Sequence, residues 1–368
     1  MPQEEKNKKY YHALKLIPSL GPRRIKSLLD YFKTPFEAWR ASKEDLLCLD
    51  NFGPSLTEKF LKERSKIDPD RAWEEVAEKN ISIVTWDEPG YPLLLKEIYD
   101  PPPVLYFQGD IGVLQNSCLA IVGSRRHTVY GKEIAYKFAA KLADYGLTIV
   151  SGMARGIDTW AHRGALEKGG KTAAVLGCGV DICYPAENRD LKKRIADNGV
   201  VISEFPPGTE PLPQHFPQRN RIISGLALGT LVVEATGKSG SLITAGFALE
   251  QGREVFAVPG GIGSPFSRGC HKLLKEGAKL VETVEDILEE IIIPLKNNEE
   301  KRGETEPYRQ IADIKENELL EFIPYEPVLM EEIIIQSKRN PAEVSVLLLE
   351  LELSGKIRQL PGKYYMRI

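Results

Sequence analysis

Arginine, lysine, serine and glycine residues recur in several loops of this 368-residue chain, and together they could bind an anion. Glycine lets an anion approach backbone amides, hydroxyl groups donate hydrogen bonds, and guanidinium groups hold phosphate with two parallel bonds. The candidates lie in the stretches GSRRHTVYG, SGMARGID, FPQRNRIISG and EATGKSGS. They are Gly123, Ser124, Arg125, Arg126, Arg155, Arg219, Arg221, Lys238, Ser239, Gly240 and Ser241, with Arg268 as a further cation. The ligand that suits this set is a phosphate group.

Short apolar runs precede most of these loops and predict the strands that must position them. The runs begin near residues 119, 147, 172, 200, 230, 254 and 279. Helical periodicity between them, as in the 131–145 stretch closed by Gly146, is typical of βαβ units and a buried parallel sheet. The predicted fold class is therefore α/β, a Rossmann-like doubly wound parallel sheet over residues 119–295. Loops that follow strands meet outside the carboxyl ends of such a sheet, so we expect the cations to converge on one edge.

Several of these residues also have a structural interpretation. A glycine after a strand is common in any sheet, Arg155 could pair with Asp158, and His162 is more typical of a satisfied helix residue than of a base. Asp158 and Asp181 are interpreted mainly as side chains that cap helices and hold loops. Two aromatic residues near the loops could stack on bases or only pack at the sheet edge, and these are Tyr130 and Phe216.

The first 67 residues contain a near-repeat, LIPSLGPRRIKSLL and CLDNFGPSLTEKFL. In each copy Gly-Pro ends one helix and begins the next. The pattern favours a small N-terminal helical domain. It is either a helix-hairpin-helix module, whose turn amides meet a phosphate, or an interaction domain of the sterile-alpha-motif type. Phosphate contact is favoured only at the first turn, with Arg23, Arg24 and Lys26.

Residues 68–118 predict a helix at 71–80, a strand at 81–86 and a proline-rich connection in which LYFQG fits a strand. We interpret this segment as a lead-in to the central domain. The segment 296–310 is polar enough to be a linker.

Residues 311–368 predict a winged helix. Helices are expected at 316–322, at 328–337 and from Pro341, with Asn340 as its cap, Gly355 as its stop and a hairpin across Pro361-Gly362. The acidity of this segment favours protein contact over DNA contact.

Composition and charge limit the classes of function. The formal net charge is only -3, yet residues 1–67 and 119–280 each have more Lys and Arg than Asp and Glu, so a polyanion remains a suitable partner. There is no apolar run of membrane-spanning length, and the first residues lack the apolar core of a secretory signal. The five cysteines lack the close pairs of a zinc site. We expect a cytoplasmic protein with no membrane contact, no metal and no cofactor.

The motifs of nucleotide enzymes are incomplete. GSRRHT follows the first strand of the domain in place of GxGxxG, and GKS at 237–239 has Val232 where a Walker A loop needs glycine. PGGIGS resembles the PGGxGTxxE motif of nucleoside-monophosphate phosphoribohydrolases, but Ser267 stands where that motif has its catalytic glutamate. No arrangement of Ser, Cys and His suggests a nucleophile. The chain is predicted not to be an enzyme, and such a hydrolase is the alternative.

Long motifs between residues 119 and 291 closely resemble the DNA-processing protein A family, DprA, also called Smf. They are AIVGSRRHTVYG, VSGMARGIDTWAHRGAL, AVLGCGVDICYPAEN, SEFPPG, FPQRNRIISGL, EATGKSGSLITAGFALEQGREVFAVPG and GCHKLLKEGA. The flanking helical and winged-helix domains match the usual arrangement of the family. The resemblance implies a non-catalytic protein that binds single-stranded DNA, loads RecA recombinase on it and protects incoming strands during natural transformation. It also implies a homodimer formed through the central domain.

For the DNA pocket, the resemblance implies Gly123, Ser124, Arg125 and Arg126, with Arg219 and Arg221 as additions. Some members carry a basic residue just before the FPxRNR stretch. Gln214 or His215 stands there in this chain, so that contact is not expected.

Overall fold

The computed structural model describes residues 3–291 and 319–367, with gaps in the second range at 321, 325, 338–339, 341–343, 346, 349–350, 353–355 and 361. The chain divides into two compact units, Met1–Pro294 and Leu295–Ile368. Each unit has hydrophobic cores of its own. None of the helices in the described part is long and apolar enough to cross a membrane.

The first unit begins with a helical domain, as the Gly-Pro repeat predicts. Its helices are α1 Gln3–Lys15, α2 Pro22–Phe32, α3 Pro35–Arg40, α4 Lys43–Leu47, α5 Pro54–Arg64 and α6 Pro69–Glu78. Helices α2 and α5 start at the prolines of the two Gly-Pro turns. Leu14, Ile25, Leu28, Phe52 and Phe60 are among the side chains that form one buried cluster here, so the two copies of the repeat share a core.

The central domain is built on a nine-stranded sheet with the order β1-β2-β6-β5-β4-β3-β7-β8-β9. Its strands are β1 Ser82–Thr85, β2 Val104–Gly109, β3 Cys118–Val122, β4 Thr148–Ser151, β5 Thr172–Val175, β6 Val200–Ser203, β7 Gly229–Val232, β8 Glu254–Ala257 and β9 Lys279–Leu280. Neighbouring strands from β6 to β9 in this order run parallel. The strands predicted from the apolar runs are confirmed.

Residues 68–118 contain more of the sheet than expected. The predicted helix and strand exist as α6 and β1, and the LYFQG stretch belongs to β2. However, β2 pairs antiparallel with β6, and β1 pairs antiparallel with β2, so the segment extends the sheet rather than only leading into it. The sheet is therefore mixed. Spacing along the sequence reveals parallel βαβ units. It carries no signal that β2 pairs antiparallel with β6, a strand about 100 residues later in the chain.

Helices cover both faces of this sheet, which confirms the doubly wound architecture. They are α7 Leu93–Lys96, α8 Val129–Asp144, α9 Ile157–Glu167, α10 Arg189–Asn198, α11 His215–Gly225, α12 Gly240–Glu250, α13 Arg268–Lys275 and α14 Glu285–Leu288. Successive strand residues point to opposite faces. Ala120 and Val122 of β3 accordingly pack in the cluster that includes α11, α12 and α13. Leu119 and Ile121 pack in the cluster with α8 and α9. Strand β3 is thus held from two sides, and its following loop emerges at a fixed edge.

The second unit has the strands and helix of a winged helix. They are β10 Val328–Leu329, the helix Met330–Ser337, β11 Ile357–Leu360 and β12 Tyr364–Arg367. The strands form an antiparallel sheet in the order β10-β12-β11, and the predicted hairpin joins β11 to β12. The helix expected from residue 328 begins at Met330, because the two residues before it pair with β12. The predicted linker 296–310, residues 316–318 of the first helix, Pro341 and Gly355 lie outside the described residues.

Candidate nucleic-acid interface

A cleft of about 630 Å³ lies at the carboxyl edge of the parallel strands, and we call it the edge cleft. It receives residues from the loops after β3, β4, β5 and β7 and from helices α11 and α12. Most of the residues predicted from sequence line it, namely Gly123, Ser124, Arg125, Arg126, Arg219, Ser239, Gly240 and Ser241. The convergence expected of loops that follow parallel strands therefore occurs, although it does not include every predicted cation.

The loop after β3 is shaped by Ser124. Its amide donates a hydrogen bond to the Glu234 carbonyl oxygen (2.7 Å), which links the loop to the one after β7. Its hydroxyl donates to the carbonyl oxygen of Arg126 (2.5 Å) and accepts from the Arg126 amide (3.2 Å). The side chain is also buried. Ser124 therefore holds the turn that presents the arginines, and its hydroxyl is already engaged within the protein.

Arg125 and Arg126 are the exposed cations of the edge cleft. Among the described residues, no carboxylate forms an ion pair with either guanidinium. The Cζ atom of Arg125 lies 5.3 Å from the centre of the Phe216 ring, which places a cation beside an aromatic face. The ring of Tyr184 lies 5.5 Å from the same Phe216 ring, measured between centres. An anionic chain with aromatic bases would meet both of its recognition elements here.

Arg219 forms part of the wall of the edge cleft and is only 4% exposed. Its Nη1 donates to the carbonyl oxygens of Gly152 (2.7 Å) and Val175. Burial lowers its pKa to about 10, so the side chain remains a cation at neutral pH. A Cβ atom at residue 152 would lie 2.6 Å from the guanidinium, so only glycine leaves room for it. The loop SGMARG thus needs its first glycine in order to seat Arg219.

Asp158 holds the same loop from the other side. Its Oδ2 accepts hydrogen bonds from the amides of Gly152 (3.2 Å) and Ala154 (3.3 Å). Burial raises the pKa of this carboxyl, and the nearby Arg219 opposes that rise. The prediction that Asp158 acts mainly as a loop pin is confirmed. Asp181 has the same kind of role, because its carboxylate accepts from the Gly208 amide and pairs with Lys79 at 2.8 Å.

Arg221 does not reach the edge cleft. Its Nη2 pairs with Glu204 Oε2 at 2.6 Å and its Nε with Asp100 Oδ2 at 3.2 Å, and the residue is only 6% exposed. The expectation that both arginines of FPQRNR contact the ligand is therefore corrected. The stretch lies on α11, where two positions correspond to a rotation of about 200°. Arg219 and Arg221 consequently point to different sides of the helix.

Three other predicted cations lie outside the lining of the edge cleft. Arg155 forms a bidentate ion pair with Glu187 (2.5 and 2.8 Å) rather than with Asp158, and this pairing raises the pKa of Arg155. It lines a smaller adjoining recess, which also includes Arg125. Lys238 is exposed in the loop after β7, and Arg268 is exposed at the start of α13.

The N-terminus of α12 contributes amides to the edge cleft. Ser239 caps this 11-residue helix by accepting a hydrogen bond from the Ser241 amide (3.4 Å), and both residues and Gly240 line the cleft. The first turn of a helix carries partial positive charge and unpaired N–H groups, which favour an anion. The stretch GKSGS therefore begins a helix at the edge cleft, and it is not a Walker A loop.

Glu234 is a structural residue of the site that sequence reasoning missed. Its Oε2 accepts from the Thr128 amide (2.9 Å) and its Oε1 from the Thr128 hydroxyl (2.5 Å). Thr128 in turn caps α8 by accepting from the Gly131 amide. This buried carboxylate thereby fixes the far end of the loop after β3, residues 123–128, which we call the arginine loop. The sequence offered one signal for this role, namely an acidic residue directly after the apolar run that predicts a buried strand.

Other residues of the edge cleft were also absent from the prediction, and they are Tyr184, Asn220, Thr236 and Thr244. Asn220 lies between Arg219 and Arg221, which were both predicted from sequence as site residues. His162 lies buried on α9 and hydrogen-bonds Thr172 through Nδ1 at 2.7 Å, but it is only partly satisfied, because its buried Nε2 has no hydrogen-bond partner among the described residues. Ser267, at the place of the hydrolase glutamate, is the residue that precedes α13.

Comparison with known proteins gives consistent matches. A family model described as DNA recombination-mediator protein A matches residues 82–292, which begin at the first residue of β1, and a DprA winged helix domain model matches residues 304–363. The chain is 34% identical to Protein Smf of Synechocystis sp. over 97% of this chain and 98% of that protein. It is 49% identical to the DNA processing protein DprA of Streptococcus pneumoniae over 54% of this chain and 71% of that protein.

Two solved structures are similar over most of their own length. The crystal structure of DNA processing protein A from Streptococcus pneumoniae has a TM-score of 0.70 and 40% identity, and the match covers 77% of this chain and 98% of that one. A structure of DNA processing protein A from Helicobacter pylori, described in terms of its single-stranded DNA binding mode, has a TM-score of 0.52 and 31% identity. That match covers 57% of this chain and 94% of the other.

Proposed function

The chain belongs to the DNA recombination-mediator protein A family, DprA/Smf, and from this membership and the geometry of the edge cleft we propose that it binds single-stranded DNA there. Phosphates of the strand contact Arg125, Arg126 and the amides at the start of α12. Bases stack near Phe216 and Tyr184. Such contacts read the backbone and the aromatic faces of bases, so binding has little dependence on sequence.

The observation that carries this proposal is the environment of Arg125. It is exposed, it has no carboxylate partner among the described residues, and it lies beside an aromatic ring. A cation that only stabilised the fold would be expected to have an acidic partner, as Arg221 and Arg155 do. The Helicobacter pylori relative, described as a single-stranded DNA-binding protein, supports the same ligand.

The proposal extends to the role that the family resemblance implies. The bound strand is protected and made available for loading of RecA recombinase, in DNA recombination and natural transformation. The protein acts as a homodimer and as a binding protein rather than an enzyme. One observation supports the role of a binding protein. Among the described residues that line the edge cleft only Asp158 is acidic, and its carboxylate already accepts hydrogen bonds that hold the neighbouring loop.

The test is a fluorescence anisotropy titration with a single strand and with a duplex of equal length at several salt concentrations. We expect tighter binding of the single strand. Its log affinity should fall with log salt by about 0.7 for each phosphate neutralised. Arg125→Ala should weaken single-strand binding about threefold to tenfold at low salt, because one phosphate contact and one stacking cation are lost.

The matched control is Arg194→Ala, which removes an exposed arginine of α10 that lines neither the edge cleft nor the recess beside it. It should leave the affinity unchanged. Equal affinity of wild type and Arg125→Ala for the single strand would contradict the proposal, provided that both proteins show the same thermal unfolding.

A further inference from the structure

The helical domain contains a second groove, of about 620 Å³, at the place where the two Gly-Pro turns meet. We call it the turn groove. Its lining residues are Pro18, Ser19, Gly21, Arg24, Gly53, Pro54, Ser55, Leu56 and Lys59. The two turns are held together by the shared core and by a hydrogen bond from Asn51 Nδ2 to Ser27 Oγ (3.4 Å). The repeat in the sequence thus folds into one paired surface.

Two uncapped helix N-termini open onto the turn groove. Helices α2 and α5 each have 11 residues, and each follows a glycine that makes no side-chain cap. By contrast, α3, α4 and α6 of the same domain are capped by the side chains of Thr34, Ser42 and Asp68. In the described part of the chain, no residue accepts a hydrogen bond from the first-turn amides of Arg23, Ser55 or Leu56. Free donors and two positive dipole ends therefore face one space.

Neither the backbone conformation nor the packing around residues 21 and 53 requires glycine. The φ angles of Gly21 and Gly53 are -87° and -70°, which any residue adopts. No described atom lies within 4 Å of the place where a Cβ would be at either residue. A serine, asparagine or aspartate would cap the helix slightly better, through a side-chain oxygen that would occupy one of these amides. Glycine instead leaves the amides open to an approaching ligand.

Three side chains of the turn groove complete an anion site. Ser19 is 7% exposed, and its Oγ has no hydrogen-bond partner among the described residues, which is costly for a buried hydroxyl. Arg24 donates through Nη1 to the Ser19 carbonyl oxygen (2.7 Å), which fixes the guanidinium at the groove and leaves its other donors available. Lys59 is exposed and has no ion pair with a described residue. The lining set contains no carboxylate among the residues that the structure describes.

We propose that the turn groove binds a backbone phosphate of nucleic acid, as a second contact outside the edge cleft. The choice of nucleic acid as the source of the phosphate rests on the proposed function. Sequence alone favours only the first turn, with Arg23, Arg24 and Lys26. In the structure Lys26 pairs with Asp30 (2.9 Å) and Arg23 lies over the Tyr99 ring, whereas the second turn supplies Lys59 and two free amides.

The test uses the full-length protein and two variants of the turn groove. Gly21→Ala/Gly53→Ala adds two methyl groups beside the free amides of the turn groove, at places where no described protein atom lies within 4 Å. Lys59→Ala removes a cation. The matched control is Lys66→Ala, which removes an exposed lysine of the same domain that does not line the groove. Thermal unfolding checks that all four proteins fold alike.

Two measurements are made with each protein. Amide chemical shifts are followed by NMR during titration with a thymidine oligonucleotide, with a duplex of equal length and with inorganic phosphate. We expect saturable shifts of Arg23, Ser55 and Leu56 with DNA, loss of these shifts in Gly21→Ala/Gly53→Ala, and shifts that saturate only at higher DNA concentration in Lys59→Ala. Single-strand affinity should fall about threefold in Lys59→Ala, and the salt slope should become shallower by about 0.7. Lys66→Ala should match the wild type.

The outcomes separate this inference from the proposed function. DNA-induced shifts confined to residues of the edge cleft would overturn the second contact while leaving the first intact. Shifts at the turn amides with inorganic phosphate but with neither oligonucleotide would overturn the assignment to nucleic acid. Turn shifts that persist in Arg125→Ala, with edge-cleft shifts lost, would support two separate phosphate contacts.

Discussion

Arg219 and Arg221 are the same amino acid two positions apart, yet their surroundings give them different roles. Arg219 donates to two carbonyl oxygens and keeps part of its guanidinium at the edge cleft. Arg221 is enclosed with Glu204 and Asp100, and Lys15 of α1 lies 3.9 Å from the same glutamate. Pairing with the buried Glu204 and the partly exposed Asp100 gives Arg221 a structural role, in which it joins α11 to the residue that follows β6.

Arg221→Ala should therefore reduce stability rather than DNA affinity. The substitution leaves Glu204 buried without its closest cation, and loss of one partner of a buried ion pair costs about 3–5 kcal/mol. Urea unfolding measures this loss, and anisotropy measures the affinity of the folded protein for a single strand, which should be unchanged. Arg125→Ala is the matched comparison and should show the opposite pattern. A normal stability with weakened binding in Arg221→Ala would contradict this assignment.

At the scale of elements, neighbouring strands hold the site in place. Strands β3 and β7 are parallel neighbours, so the loops that follow them emerge side by side. Glu234 joins these loops through Thr128, and the Ser124 amide joins them through the Glu234 carbonyl. The arginine loop and the start of α12 therefore form one rigid edge. Rigidity matters because a preorganised site loses less conformational entropy when it binds.

Glu234→Ala should weaken single-strand binding severalfold, although Glu234 is not among the residues that line the edge cleft. The variant leaves the Thr128 amide and hydroxyl without their acceptor, which should also cost about 1–3 kcal/mol of stability. Anisotropy and thermal unfolding measure the two effects. Thr128→Ser is the control, because it keeps the hydroxyl that bonds Glu234 and caps α8. Unchanged affinity in Glu234→Ala would mean that the loop holds its shape without this link.

At the scale of the whole molecule, the chain separates into two units whose cores are distinct. The edge cleft and the turn groove both lie in the unit Met1–Pro294. The winged helix of the other unit carries glutamates in its helix Met330–Ser337. An acidic helix repels a phosphate backbone. Within the unit Met1–Pro294, the turn groove is formed by residues of 1–67 and the edge cleft by residues of 119–280, the two stretches in which Lys and Arg outnumber Asp and Glu.

Deletion of residues 311–368 should leave single-strand affinity within about twofold of the wild type, because all residues of the edge cleft and their supporting sheet remain. Anisotropy at two salt concentrations measures this, and circular dichroism checks that the remaining unit folds. Complete loss of binding by the folded truncation would mean that the winged helix takes part in DNA contact.

Sequence by itself determined the local features of this protein. Apolar runs and turn residues fixed the parallel strands of the sheet, the glycine-rich loops after them and the two Gly-Pro turns, because these patterns are written in neighbouring residues. Because loops that follow parallel strands share the carboxyl edge of the sheet, the sequence then predicted one edge for these loops, and most predicted residues are found there. The motifs also identified the family.

Only the tertiary structure decided which cations line the edge cleft and which are paired with carboxylates. Arg221 is paired with Asp100 and Glu204, and Arg155 with Glu187, and these partners are distant in sequence. The antiparallel pair β1–β2 at the edge of the sheet was equally invisible, because it depends on packing between distant segments. The turn groove likewise required two turns 32 residues apart in the repeat to meet. Charge pairing and burial are long-range properties, whereas sequence patterns report short-range ones.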